Sequence, residues 1–146
     1  MTLPLRWSRC LAVAALAACG GHGWAGPAGQ TLHSWSASVS GPALYGKGLR
    51  TVSAPITPTG YLPQAEGAIT TVRWRYAFNR TPPHDLQAYL CNAQRCVLLS
   101  GAEGLTDAFG GDDAANGFVF AFQVPGRGAL TPVLQGQSGQ VVVGYR

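Results

Sequence analysis

The sequence predicts an all-β fold: an antiparallel β-sandwich, or a small barrel, of about seven short strands, preceded by a cleavable signal peptide. Three observations carry this. Apolar and polar residues alternate at period two in several separate stretches, the pattern of a strand with one buried face. The 20 glycines and 10 prolines fall largely between those stretches and supply the turns. No stretch beyond the first 25 residues repeats apolar residues at helical spacing, which removes the classes that need helices to cover a sheet.

The N-terminal residues read as an export signal. Arg6 and Arg9 supply the positive start, and Leu11 to Ala18 form an apolar run too short for a permanent membrane span. Gly23-Trp24-Ala25 offers small residues where a signal peptidase reads, with cleavage before Gly26. Leu16-Ala17-Ala18-Cys19 competes with it, because that tetrapeptide resembles the lipobox of bacterial lipoproteins and makes Cys19 the candidate lipidation residue. The organisation expected is a signal peptide over residues 1–25, a flexible Gly- and Ala-rich leader over 26–32 and one β-domain over 33–146. The expected location is the periplasm, with membrane attachment only through a lipidated Cys19.

Removing Arg6 and Arg9 leaves eight basic against six acidic side chains, a formal charge of +2 in place of +4. So mild an excess, without a basic stripe, does not suggest nucleic acid as a partner.

Along the domain, Ser34 to Val39 alternates and puts Trp35, Ala37 and Val39 on one face, until Gly41-Pro42 ends the strand. Pro55, Pro58 and Gly60 keep any strand around Arg50 to Ser53 short and place it at an edge. The clearest strand runs from Ile69 to Phe78: Val72, Trp74, Tyr76 and Phe78 face one way, Thr71, Arg73 and Arg75 the other. After the turn composition of Thr81 to Asp85, alternation resumes through Leu86, Ala88 and Leu90 to Cys91, and Cys96 to Leu99 runs back. Asn92 to Arg95 is then a four-residue hairpin loop with the cysteines opposite each other. Phe118, Phe120, Phe122 and Val124 form a second strong stripe, broken by Pro125 to Gly128, and Val141 to Tyr145 is a final strand.

Cys10 and Cys19 belong to the signal region, so Cys91 and Cys96 are the pair left in the domain. In an oxidising compartment such a pair reads as a disulfide. Zinc is the weaker reading, because two thiolates do not complete a tetrahedral site and no His pair stands nearby at ligand spacing. No metal or other cofactor is expected. No catalytic residue is expected either: there is no Gly-x-Ser-x-Gly elbow, His-Glu-x-x-His pair or phosphate loop, and His33 and His84 lie far apart in sequence.

Three further groups have a functional and a plain reading. Asp107, Asp112, Asp113 and Asn116 could hold calcium, but they do not follow EF-hand spacing and read as a solvated acidic loop. Arg73 and Arg75 could meet an acidic partner or simply solvate a strand face. Trp35, Trp74, Tyr76 and the phenylalanines could stack on sugar rings, but their alternation assigns them to the core.

Four segments occur together: Val72-Arg73-Trp74-Arg75-Tyr76; Leu90-Cys91 with Arg95-Cys96-Val97; Val124-Pro125-Gly126 with Gly128, Leu130 and Pro132; and Gln140 to Arg146 at the terminus. In order and spacing they resemble the FlhE family of flagellar proteins. The likeness covers about the last two-thirds of the chain and is most specific in the Cys hairpin and the Tyr-Arg end. It implies a periplasmic, non-enzymatic accessory protein associated with the flagellar export apparatus and with motility. The function it suggests is that of a chaperone or plug limiting proton leak through the export gate. The family has an ordinary cleavable signal, so the Leu-Ala-Ala-Cys stretch departs from it. The partner is then an export or basal-body protein, with Arg73, Arg75 and Arg95 as candidate contacts; an extended partner segment could also add to a free strand edge. The alternative class is a carbohydrate- or peptidoglycan-binding sandwich.

Overall fold

The computed structural model describes residues 32–58 and 65–146. The signal peptide, Cys19 and residues 26–31 of the leader lie outside the described residues. Nine strands are described: β1 (His33–Ser40), β2 (Ala43–Gly46), β3 (Thr51–Val52), β4 (Ile69–Phe78), β5 (Gln87–Cys91), β6 (Cys96–Leu98), β7 (Glu103–Thr106), β8 (Val119–Gln123) and β9 (Ala129–Tyr145). They form two antiparallel sheets. One has the order β1-β9-β4-β7, with β2 also paired to β9, and the other the order β3-β8-β5-β6.

The two inner faces are the alternating stripes of the sequence. From the first sheet come Val72, Trp74 and Tyr76 of β4 with Val141 and Val143 of β9; from the second come Ala88 and Leu90 of β5 with Phe120 and Phe122 of β8. All are buried. Tyr76 meets Phe122 edge to face at 5.1 Å and Phe120 at 6.0 Å, the offset geometry that aromatic quadrupoles favour. Burying the Tyr76 phenol removes solvation that its anion would need and pushes its pKa up.

Seven strands stand where the alternation placed them, including the short edge strand β3. Two were not expected, and β9 begins twelve residues before Val141. The N-terminal half of β9 pairs with β2 and its C-terminal half with β1 and β4. The chains come very close where Gly41 meets Gly136: a Cβ on Gly136 would stand 2.6 Å from backbone of Gly41 and Pro42. In β7, Gly104 lies opposite Trp74 on β4. A Cβ there would stand 2.5 Å from indole Cη2. Glycine therefore leaves room for the indole to cover the strand and donate its Nε1–H to the Gly101 carbonyl at 3.0 Å. A strand whose inward position is empty has no apolar alternation, so its residues alone do not mark it.

The loop between β7 and β8 closes one end of the sandwich. Phe109 and Ala114 are fully buried in it, and Phe109 stands edge-on to Phe118 at 5.0 Å. Backbone bonds from Ile69 N to the Asp112 carbonyl and from Gly111 N to the Ile69 carbonyl fasten the loop to the start of β4. The Trp35 indole of β1 donates to the Ala114 carbonyl at 2.9 Å.

Candidate functional surfaces

Arg73 and Arg75 lie on the outward face of the five-stranded sheet, as the period of β4 requires. The register builds cross-strand rows there. Arg73 stands between Val142 of β9 and Leu105 of β7, with Ser36 of β1 beyond Val142. Arg75 stands between Gln140 and Glu103, with Ser38 beyond Gln140. Between these rows runs an open groove of about 540 Å³. Arg75 is paired with Glu103 at 3.3 Å, an exposed ion pair of small energetic weight. Arg73 has no ion pair among the described residues. β1, the outer strand on the Ser36 side, is eight residues long and among the described residues pairs only with β9.

Arg95 is not part of that groove. It sits at the tip of the β5–β6 hairpin in the other sheet, where Cys91 and Cys96 are directly opposed and joined by a disulfide. Asn92 shapes the loop: its Oδ1 accepts from the backbone N–H groups of Gln94 and Arg95 at 2.9 and 2.8 Å, the local bonding that makes Asn a turn residue. Its Nδ2 donates to Asp112 at 2.8 Å. Arg95 grips the same carboxylate with both arms of its guanidinium, Nε to Oδ2 at 2.9 Å and Nη2 to Oδ1 at 2.7 Å. The hydrogen bonds from Asn92 and then Arg95 hold the Asp112 carboxyl below the ordinary carboxylate range.

Asp112 thus corrects the reading of a solvated acidic loop. Asp107 and Asp113 are exposed as expected, but the Asp112 side chain is only 7% exposed and locks the hairpin tip to the loop that closes the sandwich. Its partners lie 17 and 20 residues away, so local sequence carries no sign of it.

Arg50 was not singled out from the sequence either. It lies just before β3, its guanidinium carbon 5.2 Å from the centre of the Tyr89 ring, and its Nη2 lies 3.6 Å from both sulfurs of the disulfide.

His33 and His84 do not meet. His33 pairs with Tyr145, whose other neighbour is Ile69 at the start of β4, whereas His84 follows the far end of β4. No group of three or more His, Cys, Asp or Glu side chains stands at metal-binding distance among the described residues. Trp74, Tyr76, Phe118, Phe120 and Phe122 are buried and present no ring to a sugar.

Fold and surfaces together define a small, disulfide-stapled antiparallel β-sandwich with an open polar groove on one face. A sequence model of the family described as flagellar protein FlhE matches residues 41–146. The flagellar protein FlhE of Escherichia coli K12 is 40% identical over 112 residues, covering 77% of this chain and 84% of that protein. FlhE of Salmonella typhimurium LT2 is 38% identical over 113 residues, covering 77% and 85%. A crystal structure of FlhE superposes with a TM-score of 0.75 at 35% identity, covering 80% of this chain and 99% of that one. The chain belongs to the flagellar protein FlhE family.

Proposed function

We propose that this protein is a non-enzymatic accessory factor of the flagellar export apparatus that works in the periplasm by binding another protein. In that role it acts as a chaperone or plug that limits proton leak through the export gate. The observation that carries the reading is Arg73: an exposed guanidinium without an ion pair among the described residues, in an open groove lined also by Arg75, Glu103, Leu105, Gln140 and Val142. A guanidinium presents a fork of donors that suits a carboxylate, so an acidic segment of the partner fits this face. Arg75 is paired with Glu103, and because that pair is exposed and of small energetic weight its guanidinium can exchange Glu103 for a carboxylate of the partner. Arg95 contributes differently. Its guanidinium is committed to Asp112, so it fixes the hairpin and leaves Ala93 and Gln94 exposed at the tip. The disulfide supports an oxidising compartment.

The test is complementation of a strain that depends on this protein with Arg73→Gln and with the Arg73→Gln, Arg75→Gln pair. Both side chains are exposed, so folding and the amount of oxidised protein in the periplasmic fraction stay at wild-type levels. The expected result is reduced swimming and flagellar assembly, larger in the double variant. Unchanged motility in both would refute the assignment of this face.

A further inference from the structure

The disulfide and Arg50 occupy the outward face of the four-stranded sheet, opposite the groove of the preceding proposal and independent of it. Two cross-strand rows of that face are apolar. Val52, Ala121, Tyr89 and Leu98 form one cross-strand row, and Val119 joins the two cysteines in another. Val52 and Leu98 are 49% and 61% exposed. Arg50 reaches across this surface from the β3 edge to the opposite edge, over Tyr89 and onto the sulfurs. It makes no ion pair among the described residues.

A disulfide sulfur is a weak hydrogen-bond acceptor, whereas a thiolate is charged and accepts strongly. A guanidinium laid on two sulfurs and an apolar row therefore does little for the oxidised pair and much for the same pair once it is reduced. We propose that Cys91–Cys96 is a thiol–disulfide exchange site, that its reaction partner is a protein dithiol, and that Arg50 stabilises the departing thiolate.

The geometry assigns each sulfur its part. Cys96 is exposed and lies on β6, the edge strand of its sheet, whereas Cys91 is 7% exposed on β5, one strand further in. A thiolate attacking along the S–S axis reaches the Cys96 Sγ from beyond the sheet edge, where no described strand stands. The new bond joins the donor sulfur to Cys96. The old bond breaks, and the Cys91 Sγ leaves with its electron pair onto the Arg50 Nη2–H. The donor's second thiolate then attacks the donor sulfur of the mixed disulfide and releases the Cys96 thiolate. The donor dithiol is oxidised to its disulfide, Cys91 and Cys96 are reduced, and the two donor protons pass through solvent to the two cysteines. The exposed apolar residues around the site are where the dithiol protein would seat.

Two measurements test this on the purified oxidised protein. In the first, reduction by dithiothreitol at pH 7 without denaturant is followed by alkylation and mass spectrometry for the wild type, Arg50→Gln and Arg50→Lys. A lower thiol pKa in the leaving group speeds exchange, and a neighbouring cation supplies that lowering. Arg50→Gln is therefore expected to slow reduction about tenfold, Arg50→Lys less, with the melting temperatures of all three oxidised proteins alike. In the second, glutathione added as a monothiol is expected to give an adduct mapping to Cys96. Three results would each overturn the proposal: equal or faster reduction of Arg50→Gln, an adduct on Cys91, or a wild-type bond that is reduced only once the protein unfolds.

Discussion

Replacing Asp112 by Ala removes the acceptor that three donors share: Asn92 Nδ2 at 2.8 Å and Arg95 Nε and Nη2 at 2.9 and 2.7 Å. Bonds to a charged group contribute about 1.5–3 kcal/mol each in favourable settings, and severing a fully buried ion pair costs about 3–5 kcal/mol. The Arg95 side chain is 47% exposed, so its freed guanidinium returns largely to water and the loss falls below that range. The expected destabilisation at pH 7 is about 2 kcal/mol, read by urea unfolding with the fluorescence of Trp35 and Trp74 as the signal. The effect must also depend on pH. The carboxyl has a lower pKa folded than unfolded, where the ordinary value is 3.8. Folding therefore favours the ionised form, and its contribution is complete above the unfolded pKa and fades as pH falls through the folded one. The gap between wild type and Asp112→Ala should accordingly narrow below pH 3.8. A gap under about 0.5 kcal/mol at pH 7, within the ordinary scatter of surface substitutions, or one that stays constant into acid, would show that the carboxylate does not hold the hairpin.

Other predictions test the packing. Gly104→Ala pushes the Trp74 indole off β7 and away from the Gly101 carbonyl, which should cost about 1–3 kcal/mol and shift tryptophan emission to the red. Phe109→Ala opens a cavity under the loop that closes the sandwich; a loss of about 3–5 kcal/mol in chemical unfolding is expected, and a loss below 1 would mean the loop does not depend on its plug. In an ultraviolet titration of the folded protein, Tyr76 should ionise above its ordinary value of 10.0, in a step that Tyr76→Phe deletes. Because its folded pKa is raised, the stability that Tyr76 contributes is present below pH 10.0 and is lost as pH rises through the folded value.

The inner faces of β1, β4, β5 and β8 could be read from the chain because burial on one side of a strand leaves a period-two record within the element itself. The hairpin was legible for a similar reason: two strands, a four-residue loop and a cysteine at each strand end are all local. Where a strand exists only because of a distant partner, that record is missing. β7 takes its inward filling from the Trp74 indole, so Glu103 to Thr106 carries almost no apolar signal. The first half of β9 depends on pairing with β2 across a Gly41–Gly136 contact, and Pro132 within it suggests an interruption where a strand runs on.

The surfaces divide along the same line. Composition and alternation alone determined that this protein is an antiparallel all-β fold, a sandwich or a small barrel, that its large aromatics face inward and that Arg73 and Arg75 share an outward face, because each follows from neighbours one to ten residues apart. Only the tertiary structure decided which charges act together. It separated Arg95 from the other two arginines, took Asp112 out of water to bind it, and carried Arg50 across one face onto the disulfide. Those contacts join residues 17 to 46 positions apart, and their partners are set by sheet order and register, which no local pattern of side chains records.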